Sequence, residues 1–259
     1  MIKTVWFDIG GTVHVQDATS DNDAVFAERV YRFLKEHNIE TAQTPEQLLA
    51  HIDKGAKKYK TFSEQQLVEL PGDEIWHSFM LGDFDVFPEK LCGLGEELSY
   101  LYDRHRKVIT RREGLEYTLQ ALREEGFRLG VISNIMSISF VPRILEEHGI
   151  AQYFDFIITS SEYGVRKPRR ELFDTAVSLM GVTAHEAAYV GDTVSRDVRG
   201  ARAAGWELMI QIENPRIAQK DTKYLNCGYQ PDYMVRSLRE IPPILKQFNT
   251  ERKERGSDS

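Results

Sequence analysis

The hydrophobic and polar positions divide the chain into one isolated strand, a long helical stretch, and a series of alternating helices and strands. The first apolar run, Lys3–Ile9, predicts a buried strand that stops at Gly10-Gly11. After Val13 the apolar positions recur with helical spacing as far as about Thr110. This spacing predicts five amphipathic helices: Asp23–His37, Pro45–Lys60, Glu64–Glu69, Asp73–Leu81 and Glu89–Arg106.

From Glu113 onward, short apolar strands alternate with helices, and glycines follow several of the helices as expected C-caps. The predicted strands are Phe127–Ser133, Phe154–Thr159, Ala187–Val190, Trp206–Ile212 and Asp232–Val235. The predicted helices are Glu113–Glu125, Phe140–His148, Arg170–Met180, Asp197–Ala204 and Ser237–Phe248. Alternation of this kind is typical of an α/β fold with a parallel sheet and right-handed crossovers.

The change of pattern predicts two domains. Residues 1–13 and 111–249 would form the α/β core, and residues 14–110 would form a helical cap inserted directly after the first strand. Such a cap closes over a site and excludes water. Residues 250–259 are charged and lack aromatic side chains. They are predicted to form a flexible tail.

Composition excludes several classes of protein. The chain is 41% hydrophobic and 28% charged, as in ordinary globular proteins. Its net charge of -7 argues against nucleic-acid binding. The two cysteines, Cys92 and Cys227, predict neither a disulfide framework nor a metal site. Without a recognisable signal peptide or a membrane-length apolar run, the expected location is the cytoplasm.

Four segments place polar groups at predicted strand or loop ends, where α/β sheets bind ligands. Asp8 follows the first strand, and Ser133 ends another, where a hydroxyl can bond an anion. Lys167 lies in a loop before Pro168 and could neutralise a phosphoryl group. In the fourth segment, Asp192 and Asp197 are two acids, five positions apart, that can chelate a hard cation such as Mg²⁺.

Taken in order, these segments resemble the motifs of the haloacid dehalogenase superfamily: Asp8-x-x-Gly-Thr, Ser133-Asn134, Lys167-Pro168 and Gly191-Asp192-x4-Asp197. The resemblance implies a Rossmann-like, doubly wound core and an aspartyl-enzyme mechanism with Asp8 as the nucleophile and Lys167 as a second catalytic residue. It implies phosphate binding by four residues, namely Thr12, Ser133, Asn134 and Lys167. It also implies Mg²⁺ as cofactor, held by Asp8, the backbone carbonyl of Gly10, Asp192 and Asp197.

One position departs from the resemblance. Phosphatases of the superfamily carry a second Asp, a general acid/base, where this chain has Gly10. Such a group contributes typically ~10²–10⁴-fold to the rate. His14 could replace it, or could be a polar hinge residue. The positions of Lys54, Lys57 and Lys58 on one helical face could supply the cap lysine of a phosphonate hydrolase, or could be a solvated face.

The sequence favours a Mg²⁺-dependent phosphatase that acts on a small phosphorylated metabolite and not on nucleic acids or membranes. The alternatives are a weakly catalytic protein that binds a phosphorylated ligand or partner, and a phosphonate hydrolase or dehalogenase variant. Around Lys167, three arginines could extend the anion site or coat the surface: Arg166, Arg169 and Arg170. The sequence identifies neither the substrate nor the oligomeric state.

Overall fold

A six-stranded, fully parallel sheet forms the centre of the computed structural model, which describes residues 1–84 and 88–257. Its strands, in spatial order, are β5 (Phe156–Thr159), β4 (Arg128–Ser133), β1 (Thr4–Phe7), β6 (Ala187–Gly191), β7 (Leu208–Ile212) and β8 (Tyr233–Val235). The chain order reverses at β1, with β4 on one side and β6 on the other. This is the predicted doubly wound α/β topology, with its switch point at β1.

Helices cover both faces of this sheet. They are α6 (Leu115–Glu124), α7 (Phe140–Glu147), α8 (Ser160–Tyr163), α9 (Arg170–Met180), α10 (Arg199–Ala203), α11 (Ala218–Leu225) and α12 (Ile241–Ser257). The alternation along β1 explains the two layers. Val5 and Phe7 pack into one apolar cluster and Trp6 into another, and all three are fully buried. A strand buried on both faces gives the continuous apolar run seen in the sequence.

The second unit is a helical insert, residues 18–107. It contains α1 (Ser20–Glu36), α2 (Pro45–Gln66), α3 (Gly72–Ile75), α4 (Pro88–Leu91) and α5 (Gly95–His105). A π-helical turn, Trp76–Met80, continues α3. These helices share their own apolar cluster, centred on Phe26, Leu48, Trp76 and Leu98. The insert therefore has a core separate from those of the sheet.

Short strands flank the insert on both sides, at positions where the sequence analysis predicted no strand. β2 (His14–Asp17) pairs antiparallel with β3 (Val108–Arg111). A strand of four residues is too short to show a clear alternation of apolar and polar positions. The domain boundary predicted at Thr110 therefore falls inside β3. Two short helices, α8 and α11, were also not predicted.

Several predicted helix bounds were wrong. The helices predicted over Pro45–Lys60 and Glu64–Glu69 are a single helix that ends at Gln66, and Leu67, which follows, has left-handed backbone geometry (φ 55°). The helix predicted over Glu89–Arg106 is interrupted at Gly93, where φ is 78°. The last helix does not end at Phe248 but continues through Ser257, so most of the predicted tail is helical. Residues 258–259 of that predicted tail lie outside the described residues.

Candidate active site

The register of the central strands brings the predicted site residues to one edge of the sheet. Phe7, the last residue of β1, stands opposite Val131 of β4 and Val190 of β6. Asp8 follows Phe7, and its backbone N–H donates to the Val190 carbonyl (2.9 Å). Asp8 therefore emerges between the ends of β4 and β6. Ser133 and Asp192 emerge at those same ends.

Lys167 forms the centre of this arrangement. Its Nζ atom lies 2.6 Å from Oδ1 of Asp8 and 2.8 Å from Oδ1 of Asp197. It also lies 2.8 Å from the Ile132 carbonyl oxygen and from the Tyr189 hydroxyl. Because Lys167 is 2% exposed, its charge is compensated by these two carboxylates and not by water.

Asn134 holds the Lys167 loop in place. Its Nδ2 donates to the Lys167 carbonyl (3.1 Å), and the Lys167 N–H donates to its Oδ1 (2.8 Å). The peptide bond that follows, Lys167–Pro168, is cis. Asn134 was predicted to bind substrate. It does line the cavity, but its amide bonds to the lysine loop.

Three carboxylates meet beside Lys167. Oxygens of Asp8, Asp192 and Asp197 all lie within 4.8 Å of one another. Burial raises the pKa of Asp8, and Lys167 opposes this effect. Burial, together with the charges of Asp8 and Asp197, raises the pKa of Asp192 to about 7. Asp8 and Asp192 are therefore harder to ionise than exposed aspartates.

Two of these acids differ in how their oxygens are engaged. Burial acts to raise the pKa of Asp197, but Lys167 and Arg196 outweigh it, so that the pKa is lowered. Its Oδ2 accepts bonds from the Thr193 N–H (3.0 Å) and hydroxyl (2.6 Å). Asp192 accepts a bond from Asn214 at Oδ2 (2.7 Å). Its buried Oδ1 has no hydrogen-bond partner among the described residues.

This donor set fits a hard divalent cation. Mg²⁺ is held by oxygen ligands, usually one or two carboxylates with waters and a substrate phosphate. A buried carboxylate oxygen without a partner is costly unless a cation or water satisfies it. The free Oδ1 of Asp192, close to Asp8, is therefore where a metal ion would be expected to bind.

The site opens into a cavity of about 730 Å³. Of the predicted residues, those that line it are Asp8, Gly10, Ser133, Asn134, Lys167 and Asp192. Thr12 is fully buried and does not line it, and its hydroxyl has no partner among the described residues. Thr12 as a phosphate ligand therefore stays a prediction.

Several lining residues were not predicted from the sequence. Nine of them carry charge: Lys60, Asp103, Arg106, Lys107, Asp17, Arg112, Arg196, Glu213 and Arg216. Gln16 and Asn214 are further lining residues that the sequence analysis missed. Four of the charged residues belong to the insert, namely Lys60, Asp103, Arg106 and Lys107. The packing of the insert against the core leaves no local signal in the sequence. The one sequence feature that could have indicated such a residue is the basic side chain of Lys107, close to the domain boundary predicted at Thr110.

His14 does not face the cavity. It is fully buried in β2, its ring packs edge-on against Phe140, and burial lowers its pKa to about 3. A buried neutral imidazole of this kind is a poor substitute for the missing general acid. The cavity residue beside Gly10 is Gln16, because a Cβ atom built at Gly10 would lie 3.6 Å from the Gln16 Nε2.

The remaining basic candidates lie outside the main cavity. Lys54 and Lys58 contact Asp83 at 2.7 and 3.6 Å. Lys57 lines a second, adjoining cavity of about 400 Å³. Of the three arginines near Lys167, Arg166 pairs with buried Glu69. The other two form surface ion pairs: Arg169 with Glu171, and Arg170 with Asp174.

Two further observations concern the rest of the chain. Both cysteines, Cys92 and Cys227, are free thiols at exposed positions. Among the described residues, every helix is too short or too polar to cross a membrane.

Comparison with known proteins identifies the family of this chain. Residues 2–205 match the family model for haloacid dehalogenase-like hydrolases. A Methanopyrus kandleri protein named glyceraldehyde 3-phosphate phosphatase is 25% identical over 248 residues, or 96% of this chain and 99% of its own. A Thermus thermophilus phosphoserine phosphatase is 31% identical over 154 residues, which cover 56% of this chain and 55% of its own.

Solved structures also match over nearly the whole chain. A haloacid dehalogenase-type (HAD) phosphatase from Thermococcus onnurineus has a TM-score of 0.60 and 26% identity, and covers 94% of this chain and 98% of its own. A 2-haloacid dehalogenase from Pseudomonas syringae has a TM-score of 0.65 and 25% identity, and covers 96% and 100%. The fold of this chain is thus similar, over nearly its whole length, to that of these two proteins.

Proposed function

Because the chain belongs to the haloacid dehalogenase-like hydrolase family, we propose that it is a Mg²⁺-dependent phosphatase of small phosphorylated metabolites. The observation that carries this proposal is the contact of Lys167 Nζ with Asp8 Oδ1 (2.6 Å), inside a cluster of three carboxylates. A cation held against a buried carboxylate nucleophile suits attack on a dianionic phosphoryl group.

Each side chain has a role in this reaction. A carboxylate oxygen of Asp8 forms a bond to phosphorus while the ester oxygen leaves, which gives an aspartyl-phosphate. Water then attacks this phosphorus and frees Asp8 and inorganic phosphate. Lys167 offsets the charge that gathers on the phosphoryl oxygens. The Ser133 hydroxyl, at the cavity wall, would donate to one of those oxygens.

Asp8, Asp192 and the backbone carbonyl of Gly10 would hold Mg²⁺, which would screen the nucleophile from the phosphate charge. Asp197 has both oxygens engaged, by Lys167 and Thr193. It would therefore contribute to the metal site chiefly by fixing Lys167 and through metal-bound water. The insert would act as the cap that covers the cavity and excludes water.

The named relatives support this reading. Proteins called glyceraldehyde 3-phosphate phosphatase and phosphoserine phosphatase both act, by name, on small phosphate esters. A second candidate is favoured by the Pseudomonas syringae structure, which is titled a 2-haloacid dehalogenase. In that reaction Asp8 would displace a halide from carbon, a step that requires no acid at Gly10. The unpartnered Asp192 Oδ1 argues for the metal-dependent reaction instead.

The test is turnover of a panel of phosphate monoesters with and without Mg²⁺, with 2-chloropropionate as the dehalogenase substrate. Rapid quench with labelled ester should place the phosphate on Asp8. Asp8→Asn should abolish turnover, and Asp192→Asn should weaken Mg²⁺ binding measured by titration calorimetry. Asp174→Asn, on the exposed surface of α9, is the matched control.

Three outcomes would contradict the proposal. Turnover that survives in Asp8→Asn would exclude the aspartyl-phosphate. Release of chloride without ester hydrolysis would establish the dehalogenase. Binding of phosphate esters without turnover, seen as an increase in melting temperature, would identify a protein that binds a phosphorylated ligand without hydrolysing it.

A further inference from the structure

The cavity at Asp8 continues into the second cavity, and basic residues lie where the two meet. Lys60, Arg106 and Arg196 line both cavities, as does Tyr102. Asp8 and Lys167 line the first alone. A substrate whose phosphate lies at Asp8 would therefore extend toward this junction. The volume, about 730 Å³ for the first cavity alone, is that of a site for a whole metabolite.

The cations at the junction differ in how they are compensated. Arg106 is neutralised by two carboxylates, Asp23 and Asp53. Lys60 has a single loose ion pair, 4.0 Å from Glu64. It therefore keeps most of its charge available to a ligand.

Two cations have no ion pair among the described residues: Arg196, at the junction, and Lys107, which lines the first cavity alone. Lys107 Nζ donates to the neutral amide oxygen of Gln16 (2.9 Å). Arg196 makes one long bond, from Nε to the Thr193 hydroxyl (3.4 Å). Burial acts to lower its pKa, but the carboxylates Asp197, Asp8 and Asp192 outweigh burial and raise that pKa, so its charge serves the catalytic cluster. We name Lys60 and Lys107 the distal basic cluster. Cations that line a cavity and are little compensated by carboxylates provide a site for an anion.

Electrostatics within the cavity agree with this geometry. Burial lowers the pKa of Lys107, and nearby Lys60, Arg106 and Arg196 lower it further, against the opposing effect of Asp103. Burial also raises the pKa of Asp103 to about 8, so this acid is mostly neutral at pH 7. Asp103 therefore compensates the charge on Lys107 only in part, and the cations repel one another in the absence of a ligand.

We propose that the distal basic cluster binds a second anionic group of the substrate, so that the preferred substrates are phosphomonoesters that carry a carboxylate or a further phosphate. The inference rests on the proposed function, since it places the reacting phosphate at Asp8. It narrows the substrates to doubly anionic molecules and disfavours esters with a neutral tail.

The test compares substrates that differ only in the distal group. 3-Phosphoglycerate is paired with glycerol 3-phosphate, and propanediol bisphosphate with propanediol monophosphate. The native protein should favour the doubly anionic member of at least one pair by tenfold or more in kcat/KM. A preference within the first pair indicates a carboxylate site, and a preference within the second pair indicates a phosphate site. Lys107→Met should reduce that ratio by about 10–100-fold, the effect of a lost charged hydrogen bond.

Lys35→Met, at an exposed position on α1, is the control and should leave the ratio as it is in the native protein. Melting temperatures confirm folding of each variant. A native protein that treats both members of each pair alike, while hydrolysing them, would overturn the inference and leave the phosphatase intact. An unchanged ratio in a folded Lys107→Met variant would overturn it as well.

If no ester is hydrolysed, the phosphatase proposal fails and the distal cluster is tested by binding. Titration calorimetry would compare 3-phosphonopropionate with ethylphosphonate, which lacks the carboxylate. Tighter binding of the former, lost in Lys107→Met, would support the second anion site. Equal affinities would exclude it.

Discussion

The side chain of Gln16 occupies the space beside Gly10. A Cβ atom at Gly10 would lie 3.6 Å from its Nε2, an ordinary van der Waals distance. The same Nε2 lies 3.0 Å from His14 Nε2, and its Oε1 accepts from Lys107 (2.9 Å). The space beside Gly10 therefore holds a neutral amide, which is not a proton donor for a leaving group at neutral pH.

We expect Gly10→Asp to raise the turnover of alkyl phosphates, by up to the ~10²–10⁴-fold that a general acid supplies. Gly10 does not have positive φ, so aspartate fits its backbone. Aryl phosphates, whose leaving groups need no proton, should gain less. The measurement is the first-step rate across a leaving-group series at saturating Mg²⁺. Gly10→Asn is the isosteric control, and parallel slopes for the Asp variant and the native protein would contradict the prediction.

The neighbouring glycine should behave in the opposite way. Gly11 has φ of 91°, and a Cβ atom there would lie 2.0 Å from Oδ2 of Asp192. Gly11→Ala must therefore displace that carboxylate, and left-handed geometry adds about 1–2 kcal/mol of strain. We expect a lower melting temperature and weaker Mg²⁺ binding, with little change for Gly10→Ala. Equal melting temperatures and metal affinities in the two variants would show that the turn is differently arranged.

A third prediction concerns Glu69, a fully buried acid of the insert. It accepts bonds from Tyr59, from Ser160 (2.5 Å) and from Arg166, the residue before Lys167. The backbone reinforces this contact, because Arg166 N–H donates to the Leu67 carbonyl (3.1 Å). Removing one partner of a buried ion pair typically costs about 3–5 kcal/mol. We expect Glu69→Gln to destabilise the protein on this scale and to lower kcat.

A double-mutant cycle with Arg166→Met measures how far Glu69 acts through Arg166. The double variant should lose less stability than the two single losses combined, since neither charge is then left buried alone. Strictly additive losses of unfolding free energy would show that the two side chains act independently.

Asp103 should make stability depend on pH. Its pKa is about 8 in the folded protein against 3.8 for an ordinary aspartate, chiefly because of burial. Glu69 and Glu96 raise it further, whereas the Ser137 and Met136 N–H groups oppose them. Between about pH 4 and pH 8 the folded state thus binds more protons than the unfolded state, so this group lowers stability as pH rises.

Asp103→Asn should remove the loss of stability that the Asp103 carboxyl causes as pH rises. We expect its melting temperature, relative to the native protein, to increase steadily from pH 5 to pH 8. Differential scanning fluorimetry at four pH values measures this, with Asp174→Asn as a surface control. A difference that stays constant with pH would mean that Asp103 is already ionised in the folded protein.

The sequence indicated those residues of the candidate site that follow strand ends. It did not indicate the residues whose position depends on tertiary packing. Asp8, Ser133 and Asp192 follow buried strands whose apolar runs are visible locally, and a parallel sheet necessarily brings such ends together. Lys107 and Gln16 lie at the edges of the insert, and their direction depends on how β2 and β3 pair. That pairing is a long-range contact without a local hydrophobic period.

The pairing of β2 with β3 also bears on how such enzymes diversify. Asp17 stands opposite Val108, so the chain leaves the core and returns to it at adjacent positions. A longer insert between two adjacent positions costs little extra free energy, because the entropy lost when the ends of a segment are brought together grows only with the logarithm of its length. The whole insert can thus be regarded as a unit that could be exchanged for another domain. Replacing it at this one junction would alter which metabolites reach Asp8 while leaving every strand of the catalytic sheet untouched.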